Sequence, residues 1–316
     1  MRRTVLLTGG FGNLGGRIAA AMHDSGNWNI RLASRTVRQA PLWAPRAEVV
    51  YMDLMNNLGV EEACKNTSLI IHLAALNDRE AVANPKMAEA VSGNGTQLLS
   101  ESAARSGTKH FVFMSTAHVY GSPLIGNISE TSETKCTHPY ATSHLSGENV
   151  VAQFHQHGDF LGIRLRCANG FGFPQDKSIN IWHALVNDLC KQAVEQGSIT
   201  LQTNGIQQRN FIPISDICAS IPHLVQLDQT NLGDGLFNLG IAKSASVYEM
   251  AKYIAHRSQT VLGIDPPISR PQVTPEDNGS DLDFQINKLI SSGFTPMNNI
   301  DFEIDNLLRL CQETRT

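Results

Sequence analysis

The chain has 316 residues, of which 41% are hydrophobic, with a net charge of -4 and a pI near 6.2, so its composition is that of a globular protein without a nucleic-acid-binding surface. No apolar run approaches the roughly 18 residues of a transmembrane helix, and the chain enters its first predicted strand directly, so we expect neither membrane association nor a signal peptide. The six cysteines are scattered without a Cys-x-x-Cys pair, which favours free thiols in a cytoplasmic protein that binds no metal.

The first predicted elements are a strand, a glycine-rich turn and a helix. Thr4–Leu7 has the length and branching of a buried strand. Apolar residues recur at helical spacing over positions 14–22, with alanines between them. The turn between these elements, residues 8–16, reads Thr-Gly-Gly-Phe-Gly-Asn-Leu-Gly-Gly. This order is typical of the start of a dinucleotide-binding unit.

Three glycines of the turn have separate roles in such a unit. Gly9 permits a tight turn, Gly12 lets the backbone approach a pyrophosphate, and Gly15 lets the helix pack close to the strand. The pyrophosphate is then expected on the unpaired N–H groups of the helix start. The spacing is Gly-x-x-Gly-x-x-Gly instead of Gly-x-Gly-x-x-Gly, and the alternative is a glycine-rich turn without a ligand.

The end of the second predicted strand, Trp28–Ser34, bears on the choice of cofactor. An NAD-binding unit usually has an acidic residue about 20 positions after the glycines, which holds the ribose 2′-hydroxyl. Here Ser34 and Arg35 occupy that place, and Arg38 follows. Because a guanidinium pairs with a 2′-phosphate, this predicts NADP, with NAD as the alternative. The alternative that Arg35 is only a solvated charge in a loop remains open.

Further strands and helices alternate along the next hundred residues. The predicted strands are Glu48–Met52, which ends at Asp53 and Leu54, Leu69–Ala75, which contains His72, and Lys109–Met114, which leads into Ser115 and Thr116. A helix is predicted over Pro85–Ala104. This alternation predicts a doubly wound parallel sheet whose ligands bind beyond the carboxyl ends of the strands. His72 is interpreted as a core histidine.

The remaining chain is predicted to build a second region. Tyr140 and His144, four residues apart, share one face of a predicted helix. A sixth strand follows at Gly162–Arg166, and the later elements are a strand entry or hairpin edge at 205–212, a short strand at 237–240 and amphipathic helices at 246–256 and 300–312. His155 and His157 are interpreted as a solvated helix end and not as metal ligands.

These observations give a fold prediction of α/β class. We expect a Rossmann-like doubly wound parallel sheet, with a smaller mixed α/β region that binds substrate. Residues 1–165 are assigned to the dinucleotide-binding domain and 166–316 mainly to the substrate-binding region. Within the latter, residues 205–240 are expected to return in part to the first domain.

At this point the chain resembles a known family, the extended short-chain dehydrogenases/reductases, in its nucleotide-sugar epimerase/dehydratase group. The resemblance runs nearly from end to end. It is carried by the glycine turn and by His72-Leu73-Ala74-Ala75, Asn94-Gly95-Thr96, Ser115–Gly121, Tyr140 with its helix, Arg166–Gly172, Arg209–Ile212 and Phe237–Gly240. These motifs are specific for the family and much less so for a substrate.

The resemblance implies a catalytic set of Thr116, Tyr140 and His144. In such enzymes a tyrosine exchanges a proton with a sugar hydroxyl while the nicotinamide takes or gives a hydride, and a serine or threonine hydrogen-bonds the same oxygen. The family has a lysine where His144 stands, and that lysine lowers the pKa of the tyrosine and holds the nicotinamide ribose. Because of this departure, the alternative that the active site is weakened remains open.

The resemblance also implies the binding residues. The predicted cofactor-binding residues are Gly9, Phe11, Gly12, Asn13, Leu14, Gly15, Ser34, Arg35, Asp53, Leu54, Leu73, Ala74, Ala75, Asn94, Tyr140, His144 and Cys167. Asn169, Arg209 and Arg270 are predicted to bind substrate, the two arginines at a nucleotide diphosphate. A surface salt bridge is the alternative for Arg270. The acidic pair of the family's 4,6-dehydratases is absent, because Ala117 and His118 follow Thr116.

The predicted function is that of an NAD(P)-dependent oxidoreductase or epimerase that acts on a nucleotide-linked sugar, with Tyr140 as acid and base. An NADPH-dependent keto-sugar reductase or dehydrogenase is one alternative, which Arg35 favours. A cofactor-binding regulatory protein with a weakened site is an alternative of another class. The expected partners are the small-molecule substrate and a second copy of the chain in a homodimer.

Overall fold

Residues 2–274, 277, 279 and 281–314 are described by the computed structural model. In these residues the strands are β1 (Arg3–Thr8), β2 (Trp28–Ser34), β3 (Glu48–Tyr51), β4 (Leu69–His72), β5 (His110–Thr116), β6 (Gly126–Ile128), β7 (Leu161–Cys167), β8 (Asn169–Phe171), β9 (Ile199–Thr200), β10 (Gln208–Arg209), β11 (Phe211–Pro213), β12 (Leu236–Leu239), β13 (Ala245–Ser246), β14 (Ile268–Ser269) and β15 (Leu282–Phe284).

The α-helices of the same residues are α1 (Asn13–Asp24), α2 (Val60–Cys64), α3 (Asp78–Ala83), α4 (Pro85–Glu89), α5 (Gly95–Arg105), α6 (Pro139–His157), α7 (Leu185–Glu195), α8 (Ile214–Leu224), α9 (Gln229–Leu232), α10 (Val247–Leu262), α11 (Asn287–Ser291) and α12 (Ile300–Thr314). A π-helical segment, Ala90–Asn94, joins α4 to α5, and a 3₁₀ turn, Ala117–Tyr120, follows β5. None of the described helices is long and apolar enough to cross a membrane.

The central sheet has seven parallel strands in the order β12-β7-β5-β4-β1-β2-β3. The chain starts in the middle at β1, runs outward through β2 and β3, and then returns to β4 on the other side of β1. The Rossmann-like, doubly wound α/β fold is therefore confirmed. The order reverses between β1 and β4, and this is the crevice in which such sheets bind ligands.

Burial of apolar side chains explains how β1, the glycine turn and α1 are held together. Val5, Leu6 and Leu7 are fully buried; Val5 and Leu7 share one core with Ile18 and Ala19 of α1, and Leu6 packs into a second core on the other face of the sheet. Long buried apolar runs are expected of parallel strands that have helices on both faces. The sheet therefore forms a rigid base for the turn between β1 and α1.

Most predicted elements differ from the observed ones by a few residues at their ends, and three differences are informative. The fourth strand ends at His72 and not at Ala75, because the N–H groups of Leu73 and Ala74 both donate to Thr8 Oγ1 at 3.1 Å and the chain turns there. The helix predicted over 85–104 contains the π-helical segment. The short strand near 237 is β12, which pairs with β7 at one edge of the central sheet.

The interpretation of His155 as part of a solvated helix end is wrong. Its side chain is buried, Nδ1 accepts from the Gly162 N–H at 3.1 Å, and Nε2 donates to the Gly233 carbonyl oxygen at 2.9 Å. The His155 ring is covered because the loop before β12 packs across it, whereas the side chain of His157, two residues further on, is exposed. In the described residues, no group of three or more His, Cys, Asp or Glu side chains could hold a metal ion.

A second core lies under α7, α10 and α12. A buried ion pair connects it to the first unit: the Arg17 guanidinium of α1 donates to both carboxylate oxygens of Glu303 in α12, at 2.7 and 2.9 Å. Glu303 is fully buried and also accepts from the Ser215 N–H at 3.0 Å. Arg17 lies over the Phe173 ring, 3.9 Å from its centroid. This contact holds the helix that follows the glycine turn against the C-terminal helix.

Candidate active site

The glycine turn is shaped by close backbone approaches. Gly9 has φ +67°, and a Cβ on Gly15 would lie 2.2 Å from the Gly9 carbonyl oxygen. The Gly12 N–H donates to that same oxygen at 2.9 Å. Any side chain at Gly15 would therefore displace the turn from the start of α1. Phe11 lies in this turn, and Asn13, Leu14 and Gly15 form the first turn of α1.

A chain of buried side chains fixes the turn to the neighbouring strand. Thr8 Oγ1 accepts from the two N–H groups after β4, so its hydroxyl donates to His72 Nδ1, 2.6 Å away. The other ring nitrogen, Nε2, then donates to Thr96 Oγ1 at 3.1 Å. Burial lowers the pKa of His72 to about 3, so the ring is neutral. His72 is thus a satisfied core histidine, as predicted.

A cleft of about 1020 Å³ opens at the carboxyl ends of the central strands. It brings together seven of the predicted site residues: Asn13, Leu14, Thr116, Tyr140, Cys167, Asn169 and Arg209. Asn13 Oδ1 is enclosed and has no hydrogen-bond partner among the described residues. An unpartnered polar atom at the start of α1 fits a bound dinucleotide, because that helix end also offers free N–H groups.

Tyr140 and Thr116 both line the cleft, and their side chains form a hydrogen bond. Burial raises the pKa of the Tyr140 phenol to about 12; Cys167 and Asp78 act in the same direction, and the hydrogen bond with Thr116 opposes them. Thr116 Oγ1 also accepts from the His118 N–H at 3.2 Å. The pair has the composition of a proton-exchange site, but its phenol is strongly protonated at neutral pH.

His144 lies one turn after Tyr140 on α6, and the two ring centroids are 4.3 Å apart. Its Nδ1 donates to the Tyr140 carbonyl oxygen at 2.7 Å; the residue is buried and is not among the residues that line the cleft. Burial lowers the pKa of His144, against smaller opposing effects of the Tyr140 backbone and Glu148. The ring is therefore neutral at pH 7 and gives Tyr140 little electrostatic help.

One turn further along α6, the buried Glu148 side chain lies beneath the strand ends that form the cleft and binds two of their side chains. Its carboxylate accepts from the Arg166 guanidinium, with Nη2 at 2.7 Å and Nε at 3.0 Å, and from the Ser115 hydroxyl. Both charged side chains are buried. Ser115 precedes Thr116 and Arg166 precedes Cys167, so this ion pair connects the ends of two strands that form the cleft. Sequence reasoning did not identify it, since no spacing links residues 148 and 166.

The residues predicted at the adenosine end surround the ends of β2 and β3. Arg35 is exposed, and the Arg38 guanidinium lies 5.0 Å from the centre of the Phe11 ring. Hydrogen bonds from Asn56, and to a smaller extent from Met55 and the charge of Arg35, lower the pKa of Asp53. Ser34 Oγ accepts from the Thr36 N–H at 3.1 Å.

The other predicted cofactor residues follow strand or helix ends near the same crevice. Leu54 packs on Gly95, where an added Cβ would lie 3.2 Å from the Leu54 Cβ. Ala74 and Ala75 follow β4, and Asn94 ends the π-helical segment. A π-helical turn is often found at a functional site.

The structure separates the three residues predicted to bind substrate. Arg209 Nη1 donates to Asn169 Oδ1 at 3.4 Å, and both side chains line the cleft. Arg270 is not among the residues that line it. Its Nη1 donates to the Asn204 carbonyl oxygen at 2.8 Å, and its guanidinium stacks 3.6 Å above the centre of the Tyr248 ring. These partners are a carbonyl oxygen and an aromatic ring, so the contacts of Arg270 described here are not a surface salt bridge.

The cleft also contains polar residues that sequence reasoning did not assign to the site: Asn77, Asp78, His118, Lys135, His138 and His183. His118 had a local signal, since it stands two residues after Thr116. The others come from loops and helix starts whose positions depend on how the chain folds back. The set has one cationic side chain, Lys135, one anionic side chain, Asp78, and three imidazoles, so it offers hydrogen-bonding groups to a polar ligand.

Three comparisons place the chain among known proteins. A model of the NAD dependent epimerase/dehydratase family matches residues 5–240. UDP-glucose 4-epimerase 4 of Oryza sativa subsp. japonica is 27% identical over 276 residues, which span 78% of this chain and 74% of that protein. UDP-glucose 4-epimerase of Lactobacillus helveticus is 26% identical over 278 residues, 83% of each chain.

Solved structures extend the likeness over nearly the whole chain. UDP-N-acetylglucosamine 4-epimerase from Methanobrevibacter ruminantium M1, in complex with UDP-N-acetylmuramic acid, superimposes with a TM-score of 0.82. It is 21% identical in sequence, with 99% of this chain and 100% of that chain covered. At this identity the likeness concerns the fold.

Proposed function

Because the chain belongs to the NAD dependent epimerase/dehydratase family, we propose that it is an NAD(P)-dependent enzyme that epimerises a carbon of a nucleotide-linked sugar. The observation that carries this proposal is the cleft itself. It brings together Thr116 and Tyr140, Asn13 at the start of α1, and Arg209. Two relatives that each align over more than 270 residues bear the names UDP-glucose 4-epimerase 4 and UDP-glucose 4-epimerase, which supports the same reading.

Each residue of the proposed site has a separate role in the reaction. When bound, the nicotinamide supplies a hydride acceptor and donor. Tyr140 takes the proton of the sugar hydroxyl and later returns it. Thr116 hydrogen-bonds the same oxygen and holds it near the phenol. His144 keeps the first turn of α6 in place through the Tyr140 carbonyl oxygen, and offers Nε2 as an acceptor for a ribose hydroxyl.

A direct test is calorimetry of the unmodified protein with NAD, NADP and a panel of UDP- and dTDP-linked sugars. Binding of at least one sugar nucleotide is expected, followed by appearance of its epimer on incubation with the cofactor. Transient reduced nicotinamide should be visible by its absorbance. Binding of cofactor without turnover of any sugar would favour the regulatory alternative, which the neutral His144 supports.

Arg35 supports a preference for NADP, and this preference is part of the proposal. No acidic side chain follows Ser34 to repel a 2′-phosphate, and Arg35 and Arg38 are both exposed at this place. Such a preference also favours the alternative of an NADPH-dependent keto-sugar reductase. We expect the unmodified protein to bind NADP more tightly than NAD, and Arg35→Asp to reverse the order because a carboxylate repels the phosphate.

Calorimetry with both cofactors measures this preference. Arg309→Asp, at an exposed position on α12, is the control for the change of charge and should leave the order unaltered. Equal affinities, or an NAD preference in the unmodified protein, would contradict the prediction.

Arg209 is proposed to bind the diphosphate of the substrate. Its guanidinium lines the cleft and is fixed by a contact with Asn169. Arg209→Ala should weaken a bound sugar nucleotide by roughly 2 kcal/mol or more, because a charge-assisted pair is lost. Cofactor affinity should not change.

Arg270→Ala, measured beside it, tests the second arginine that the family resemblance implies. Its stacked position outside the cleft predicts unchanged affinity for the sugar nucleotide. If Arg209→Ala instead abolishes cofactor binding, Arg209 does not belong to the substrate site. The homodimer and the cytoplasmic location stay predictions.

A further inference from the structure

His118 lines the substrate cleft and has no role in the mechanism above. It lies in the 3₁₀ turn Ala117–Tyr120, directly after β5, and its own N–H donates to Thr116 Oγ1 at 3.2 Å. The turn therefore holds the backbone of His118 next to the hydroxyl of Thr116. A polar ring fixed so close to the proton-exchange pair is within reach of the same sugar.

The two ring nitrogens of His118 have different surroundings. Nδ1 is enclosed and has no hydrogen-bond partner among the described residues. The residue as a whole is only half-buried, and its remaining surface lines the cleft. The nitrogen that it can present to a ligand is therefore Nε2.

The net effect of its surroundings is to lower the pKa of His118, so the ring is neutral. Burial lowers the pKa of His118, and Arg209 and His138 act in the same direction, while Asp78 and the Gly121 backbone oppose them. In a neutral ring only one nitrogen carries the proton. Because Nδ1 is enclosed and has no hydrogen-bond partner among the described residues, we assign the proton to Nε2, which makes that atom a donor.

We propose that His118 is a specificity-determining residue that donates a hydrogen bond from Nε2 to an oxygen of the sugar part of a nucleotide sugar. The proposal rests on the proposed function and adds to it a contact that selects the sugar. A sugar with an oxygen at that place satisfies the donor. A sugar without one leaves the N–H unpaired in a closed cleft, which lowers its affinity.

The test compares His118→Leu with His118→Gln, because a glutamine amide can place an N–H donor near the position of Nε2 and leucine cannot. The probes are the UDP- or dTDP-sugar that the unmodified protein binds most tightly, the matching free nucleoside diphosphate, and the cofactor. His157→Leu, at the exposed end of α6, is the control for replacement of a histidine. Calorimetry gives each dissociation constant.

We expect His118→Leu to weaken the sugar nucleotide about fivefold to tenfold, and to change affinity for the free diphosphate and the cofactor less than twofold. His118→Gln should restore most of the loss. Unchanged sugar affinity in His118→Leu, or an equal loss with the free diphosphate, would overturn the proposal. If the unmodified protein binds no sugar nucleotide at all, the proposed function fails first and this contact fails with it.

Discussion

Tyr140→Phe is expected to reduce turnover roughly a hundredfold to ten-thousandfold, the range for removal of a general acid–base group, while sugar and cofactor still bind. The change removes only the hydroxyl that faces Thr116 and keeps the ring that packs on His144. Steady-state rates and calorimetry on the same samples separate the two effects. A variant that keeps most of its activity would show that another group moves the proton.

The raised pKa of Tyr140 gives the unmodified protein a defined pH dependence. Since burial raises the pKa to about 12, the phenolate that accepts a proton is scarce at pH 7 and increases as the pH rises. Sugar oxidation should therefore be slow at neutral pH and rise into the alkaline range. Reduction, in which the phenol donates, should depend much less on pH.

His144→Lys should move this rise to lower pH by about one unit or more, because a cation within a few ångströms stabilises the phenolate. His144→Ala should lower both rate and cofactor affinity, since it removes the ring that contacts Tyr140 and its Nε2. His157→Lys, at the exposed end of the same helix, controls for added charge. If His144→Ala matches the unmodified protein in rate and cofactor affinity, His144 has no role in the site.

Glu303→Gln is expected to lower the free energy of unfolding by about 3–5 kcal/mol, as for other buried ion pairs that lose one partner. The glutamine leaves the Arg17 charge uncompensated in the interior, where Glu303 is fully buried and accepts three hydrogen bonds. Chemical denaturation followed by circular dichroism gives the shift of the midpoint.

The matched control is Glu101→Gln. Its partner Arg105 lies 3.9 Å away in a solvent-exposed pair, which should contribute less than about 1 kcal/mol. Similar losses in the two variants would mean that burial of the Arg17 pair adds nothing to stability. A large loss in Glu303→Gln with unchanged cofactor affinity would place its effect on the fold and not on the dinucleotide turn.

The family resemblance and the sheet are confirmed, and both depend on local patterns. The turn at residues 8–16 follows a buried strand and opens a helix, and each of these elements is specified by neighbours within a few residues. The same holds for the i, i+4 spacing that brings Tyr140 and His144 together, since a helix puts such positions on one face.

Only the tertiary structure decided which distant groups these side chains contact. It packs the His144 ring beside Phe113, with centroids 6.2 Å apart, places Arg270 on Tyr248 outside the cleft, and encloses Nδ1 of His118. Arg17 and Glu303 are 286 positions apart, and no periodicity connects them. The amino-acid sequence alone determined which elements form and which motifs meet at the carboxyl ends of the strands. Hydrogen bonding, burial and pKa depend on atoms that approach only when distant segments pack, so they could not be predicted from local pattern.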